Sequence, residues 1–236
     1  MRCALTIQYN GTHFLGSQSQ KESKNTVLGV LDAALKKLNI EAKIVASGRT
    51  DRGVHATGQV CHIDVPPYWS NLEKLQTSIN KIVAPSILIK KIKSVDEDFH
   101  ARYSAKRRVY RYVIKNGSSN PFEESFVTFL EDIDFATLQE KIKLFCGTHD
   151  FKFFMKSGSD VKSTTRIIYK AFAYRHKGYI ILNFEANGFL RSQIRLMVGA
   201  LLALSSEQII EQLECKKRYK IKPAPSNGLY LSKIKY

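Results

Sequence analysis

Three glycines within eleven residues, Gly48, Gly53 and Gly58, interrupt a run that otherwise alternates like a β-strand. Ala42, Ile44 and Ala46 alternate with Lys43 and Val45 on the way in, and Val60 to Val65 resumes the pattern on the way out. This order predicts strands over about 41–47 and 59–65, with the stretch between them as their connection. Glycine accepts the turn conformations that other residues resist. The connection carries one carboxylate, Asp51, between Arg49 and Arg52. Loops held by a rigid sheet are frequent places for chemistry. Asp-x-Gly is also ordinary turn chemistry, so the spacing alone leaves both readings open.

The flanking chain places this loop in a recurrent pattern. Cys3, Leu5, Ile7 and Tyr9 alternate with polar or small residues as a half-buried strand, which Asn10-Gly11 turns. Thr26 suits the cap of a helix to about Leu38, with Val27, Val30, Leu31, Ala34, Leu35 and Leu38 as its apolar stripe. After the loop and its second strand, Pro66-Pro67 forms a stop. Asn71 caps a second helix bearing Leu72, Leu75, Ile79 and Ile82, and Ile87 to Lys93 is a strand. The order strand-helix-strand-strand-helix-strand is the split βαβ, ferredoxin-like arrangement.

The second half follows a looser version of the same order. Strands are expected over Arg108–Ile114, Val127–Leu130, Thr165–Arg175, Tyr179–Glu185 and Leu229–Tyr236. Asp134 caps a helix through Phe145, and Asn187 caps one through Leu204. On that second helix Arg191 and Arg195, four apart, share a face. The stretches Met155–Thr165 and Lys216–Lys222 read as a mobile loop and an exposed basic arm. On the strand from Arg108, Arg108, Tyr110 and Tyr112 share one face, and Val109, Arg111 and Val113 the other. Basic and aromatic residues interleaved in this way suit an unstacked base and its phosphates.

Charge narrows the partner. Lys plus Arg number 37 and Asp plus Glu 21, a net charge of +16 over 236 residues. Such an excess calls for a polyanion. No apolar run is long enough to span a bilayer, and the N-terminus passes directly into strand pattern without a signal-peptide core. Nucleic acid in the cytoplasm is therefore expected, with no membrane association. The four cysteines, at 3, 61, 146 and 215, form no Cys-x-x-Cys pair, and the six histidines show no ligand spacing. Cys61 and His62, adjacent on a strand, point to opposite faces. No metal is expected.

The run Gly48-Arg49-Thr50-Asp51-Arg52-Gly53-Val54-His55-Ala56, followed by Thr57-Gly58-Gln59-Val60, resembles the active-site loop of the TruA family of tRNA pseudouridine synthases. Tyr9–Gln18, Phe99–Tyr112, Asn187–Gly199 and Asn227–Leu231 extend the resemblance over nearly the whole chain. Three positions depart from the pattern: Asn10 stands where Asp is usual, Ser17 where Trp is usual, and Val109 where Arg is commoner.

The resemblance implies an α/β (α+β) pseudouridine synthase fold: two ferredoxin-like halves, residues 1–104 and 105–236, with a mostly antiparallel central sheet and a cleft between them. It implies an isomerase acting on uridines at positions 38–40 of the anticodon stem-loop, with no cofactor, as a homodimer that binds tRNA across both subunits. Asp51 would be the nucleophile. Tyr110 would lie against the target uracil, Arg49 would fill the stack vacated by the flipped base, Arg195 would pair with Asp51, and Leu229 would line the uracil pocket. Arg52, Arg108, Arg111 and Arg191 are candidates for the RNA backbone. A desolvated carboxylate loses several kcal/mol, while a guanidinium about 4 Å away returns roughly 4 kcal/mol at an effective dielectric near 20. Asp51 therefore needs its arginine. His55 reads as fixing the loop. The competing expectation is a non-catalytic RNA-binding protein on a ferredoxin-like scaffold, in which Asp51 is a turn residue.

Overall fold

The structure is a computed structural model that describes residues 1–20, 23–156, 158 and 161–236. The chain divides into two compact units, Met1–Lys106 with Tyr230–Tyr236, and Arg107–Leu229. A division made from linear order alone, at 104/105, would group the last seven residues with the second half. Strand pairing groups them with the first.

In the first unit, strand β1 (Arg2–Tyr9) is followed by helix α1 (Val27–Lys37), strands β2 (Val45–Ala46) and β3 (His55–Asp64), helix α2 (Leu72–Val83) and strand β4 (Ile87–Ser94). β1 pairs antiparallel with both β3 and β4, and β2 pairs antiparallel with β3. The order β4-β1-β3-β2 is the ferredoxin-like one. The last strand, β10 (Leu229–Lys235), runs parallel to β3, with Tyr230 opposite His55 and Leu231 opposite Ala56. This pairing explains why β3 starts at His55 and not near residue 59. Residues 41–44, expected as strand, lie outside β2. Gly58 is required where β3 meets β10: a Cβ there would lie 2.3 Å from the Ser232 carbonyl oxygen.

The helices form where capping and apolar stripes coincide. The Thr26 hydroxyl accepts the Gly29 N–H, and the Asn71 side chain accepts the Lys74 N–H. Leu31, Ala34 and Leu35 of α1 and Leu75 and Ile79 of α2 are buried, with Leu5, Ile7 and Ile63 of the sheet. Buried aliphatic side chains of this size each contribute about 1.5–3 kcal/mol.

The second unit contains β5 (Arg107–Asn116), β6 (Thr128–Leu130), α3 (Phe135–Lys143), β7 (Gly147–Asp150), β8 (Thr165–His176), β9 (Tyr179–Ala186), α4 (Gln193–Ala203) and α5 (Ser206–Leu213). The strands run β5-β9-β8-β7, all antiparallel, with β6 parallel to β5. α4 is apolar nearly all round: Ile194, Leu196, Met197, Val198, Ala200 and Leu201 are buried. No helix among the described residues is long and apolar enough to cross a membrane.

One expected element is corrected. Asn187 does not cap α4; it closes the β8–β9 ladder, accepting the Ile167 N–H on its side chain and donating its own N–H to Ile167. α4 starts only at Gln193, because Ser192 takes a left-handed conformation (φ 59°) that a continuous helix excludes. The Gln193 side chain accepts the Leu190 N–H and holds that break. Arg191 therefore lies in the turn before α4, and its expected place one helical turn from Arg195 is not realised.

Candidate functional site

The Asp51 loop, residues 47–54 between β2 and β3, is fixed at its start, its middle and its end within the first unit. At its start, the Ser47 hydroxyl donates to Gln59 Oε1 at 2.5 Å, and Gln59 Nε2 donates to the Gly48 carbonyl at 2.9 Å. Gln59 belongs to β3 and is fully buried, so the strand clamps its own connection. In the middle, Thr50 and Ser17 exchange two hydrogen bonds: Thr50 N–H to Ser17 Oγ at 2.8 Å, and Ser17 N–H to the Thr50 carbonyl at 3.1 Å. The Tyr9 hydroxyl lies 2.8 Å from Thr50 Oγ1. At the end, Gly53 adopts φ 77°, and Val54 N–H closes a turn onto the Asp51 carbonyl at 3.2 Å.

His55 fixes the loop to the segment after β1. Its Nδ1 accepts the Gly11 N–H at 3.0 Å, and its ring stacks on Tyr230 with centroids 4.7 Å apart. Gly11 allows this approach, since a Cβ there would fall 2.1 Å from the Val54 carbonyl oxygen. Thr50, Val54 and His55 are buried, Asp51 is half-buried, and Arg49 and Arg52 are exposed. Arg49 Nε donates to Gln18 Oε1 at 2.6 Å. The carboxylate thus sits at the edge of a rigid loop, between two cations open to solvent.

The residues around Ser17 went unassigned in sequence. In sequence, Ser17 already stands apart as a departure from the pattern the loop resembles, and that departure was the available signal. Ser17 is only 2% exposed, and its hydroxyl supplies the acceptor for the Thr50 N–H. Its carbonyl accepts the N–H of Leu28, which ties the loop to the first turn of α1. At the other departure, the Asn10 side chain accepts the Thr12 N–H and caps the short turn that follows.

The remaining candidates lie in the second unit. Tyr110, half-buried on β5, meets Phe189 edge-to-face at 5.3 Å. Arg108 Nη1 donates to the Asn187 carbonyl at 2.8 Å, which anchors β5 to the stretch bearing Phe189. Arg111 and Arg191 are exposed. Arg195 Nε donates to the Ala224 carbonyl at 2.6 Å, and Ala224 N–H returns to the Arg195 carbonyl at 2.9 Å. Leu229 is buried where β10 begins, its N–H on the Ser226 carbonyl.

Two features of this unit support the strand bearing Tyr110. The Tyr112 hydroxyl lies 2.8 Å from Thr128 Oγ1 and donates to the Pro225 carbonyl at 2.9 Å. Burial pushes its phenol up to about 12, against smaller opposing effects of Thr128 and Arg195, so it stays protonated. Arg107 pairs with buried Glu185 at 2.9 Å and lies over the Tyr169 ring at 4.2 Å. Among the described residues, no three His, Cys, Asp or Glu side chains are grouped to hold a metal ion.

A family model described as tRNA pseudouridine synthase matches residues 5–104 and 142–236. The matched segments contain the Asp51 loop, Arg195 and Leu229; Tyr110 lies between them. A tRNA pseudouridine synthase A of Campylobacter jejuni (strain RM1221) is 43% identical over 241 residues, covering all of both chains. The protein of the same name from Wolinella succinogenes is 41% identical over 98% of this chain and 92% of its own. That from Limosilactobacillus reuteri (strain DSM 20016) is 38% identical over 100% and 96%.

Proposed function

The chain belongs to the family of tRNA pseudouridine synthases, and from that premise we propose that Asp51 is the nucleophile with which it converts uridine to pseudouridine in the anticodon stem-loop of tRNA. The reaction breaks the C1′–N1 glycosidic bond, turns the uracil, and joins C5 to C1′. The proton on C5 leaves and N1 gains one, so the nucleotide is isomerised without redox change.

The observation that supports Asp51 most is the fixing of its loop. A solvated turn needs no such anchoring, whereas a nucleophile gains from being held in one geometry. Ser47–Gln59, Ser17–Thr50–Tyr9 and Gly11–His55 restrain the backbone on both sides of the carboxylate. The roles of the other side chains rest on the family pattern. Tyr110 packs against the uracil, Leu229 lines its pocket, and Arg195 keeps Asp51 ionised. Extracting the base costs about a few kcal/mol, and an aromatic face returns about 1–3 kcal/mol. Arg49, exposed two residues before Asp51, fills the vacated stack. Arg52, Arg108, Arg111 and Arg191 are the proposed contacts to the RNA backbone, and the protein works as a homodimer.

Asp51→Ala tests the nucleophile. With an unmodified transcript carrying tritium on uridine C5, wild type releases tritium and the variant releases none while still binding the transcript. Undiminished release by the variant would refute the assignment, and no release by wild type would leave the RNA-binding reading. The dimer is tested by light scattering: about twice the 26.9 kDa chain mass supports it, and the chain mass alone overturns it.

A further inference from the structure

The two basic stretches read separately in the sequence, near Lys156 and over Lys216–Lys222, line one concavity of about 500 Å³ in the second unit. Lys156, Arg218 and Lys220 contribute to its wall together with Arg195, and among the described residues no acidic side chain lines it. Phe153 and Tyr219 supply aromatic surface in the same wall. The volume lies within the roughly 300–1,000 Å³ of small-ligand sites.

The walls are built parts of the fold. Lys156 N–H donates to the Arg191 carbonyl at 3.1 Å, which fixes one wall against the turn before α4. The opposite wall is fixed by α4 itself. Gly199 lets the chain at Lys222 lie directly on the helix, since a Cβ would fall 2.2 Å from the Lys222 carbonyl oxygen. Ala224 and Arg195 exchange hydrogen bonds just beyond. Tyr219 is held by its N–H on buried Gln212 at 2.8 Å and by its hydroxyl on Glu211, with Lys217 Nζ 4.9 Å from its ring centre. Ser192, at the start of α4, also lines the cavity, so the positive end of the helix adds to the field of Lys156, Arg218 and Lys220.

Clustered cations beside aromatic rings suit a phosphodiester with an unpaired base. We propose that this concavity binds one nucleotide of the tRNA outside the target uridine, with its phosphate on Lys156, Arg218 and Lys220 and its base against Tyr219 or Phe153. The proposal rests on the reading of the protein as a tRNA enzyme. It assigns to substrate binding three residues to which the catalytic scheme gives no role.

Salt dependence of binding to an unmodified tRNA transcript, measured by fluorescence anisotropy between 50 and 200 mM KCl, tests it. Each phosphate contact contributes about 0.9 to the slope of log Kd against log salt. Lys156→Ala, Arg218→Ala and Lys220→Ala each lower the slope by part of that amount, and the triple variant by about all of it; each weakens binding several-fold, whereas Lys156→Arg and Arg218→Lys keep the slope. Circular dichroism and melting temperature confirm that the variants fold. Unchanged slopes, or an equal loss on Lys81→Ala in α2, would overturn the site. Unchanged tRNA slopes together with uridine monophosphate or inorganic phosphate that binds the wild type and not the triple variant would make the ligand a free phosphate compound instead. Wild type that binds the transcript without isomerising any uridine contradicts the functional reading instead, and the slopes still decide the site.

Discussion

Ser17 shows how a single hydroxyl shapes the loop around the proposed nucleophile. It is buried and accepts the Thr50 N–H, so Ser17→Ala leaves that donor unsatisfied at a cost of about 1–3 kcal/mol. Urea unfolding checks the stability loss, and turnover of tRNA by the variant falls with it because Asp51 is the next residue. Ser17→Trp, which restores the residue usual in the family, overfills the site and costs about 1–3 kcal/mol. His62 gives a pH signature independent of catalysis. Burial first, then Arg2 and His100, lower its pKa below the ordinary 6.5, and its Nδ1 accepts the Ala101 N–H. Below about pH 6.5 the unfolded chain takes up a proton that folded His62 resists, so stability falls as pH drops from there through the depressed folded value. Above it this contribution is flat. Asp64, lowered chiefly by its hydrogen bond from Arg2, adds stability that is lost only as pH falls below about 3.8. Urea midpoints from pH 4.5 to 7.5 show a His62 step that His62→Gln removes.

Among the elements, α4 and the chain laid on it are the most exacting. Gly199→Ala places a methyl 2.2 Å from the Lys222 carbonyl oxygen, and relief requires backbone movement costing about 1–3 kcal/mol or more. A lower melting temperature and faster proteolysis near residues 216–224 are the expected result. Arg107→Ala removes one partner of the buried Glu185 carboxylate, an effect of about 1–3 kcal/mol, read by the same melt. The caps at Thr26, Asn71 and Asp134 were legible because each polar residue directly precedes an apolar stripe of period 3.6. The start of α4 was not, because Phe189 and Leu190 continue the apolar pattern upstream of a break set by the backbone of Ser192 and the side chain of Gln193. α5 carried a readable Ser205-x-x-Gln208 capping box, but its eight residues offer a short stripe. β7 has four residues of mixed character, with no alternation to read.

At the scale of the whole molecule, the grouping of Tyr230–Tyr236 with the first unit depends on pairing between β10 and β3, about 175 residues apart in sequence. No local pattern encodes such a partnership, although the strand character of Leu229–Lys235 was evident. The site was legible to a similar degree. The Asp51 loop announced itself through its glycines and its family resemblance, whereas Ser17 emerged as its anchor only through folding. The net charge of +16 was equally plain, and it predicts steeply salt-dependent binding of tRNA. Everything proposed for the site turns on Asp51 as the nucleophile. The most direct test of that role is single-nucleotide mapping of pseudouridine in an unmodified tRNA transcript after incubation with wild type or Asp51→Asn. Wild type is expected to form pseudouridine in the anticodon stem-loop and the variant to leave uridine unaltered; pseudouridine formed equally by both would mean that Asp51 is not the nucleophile.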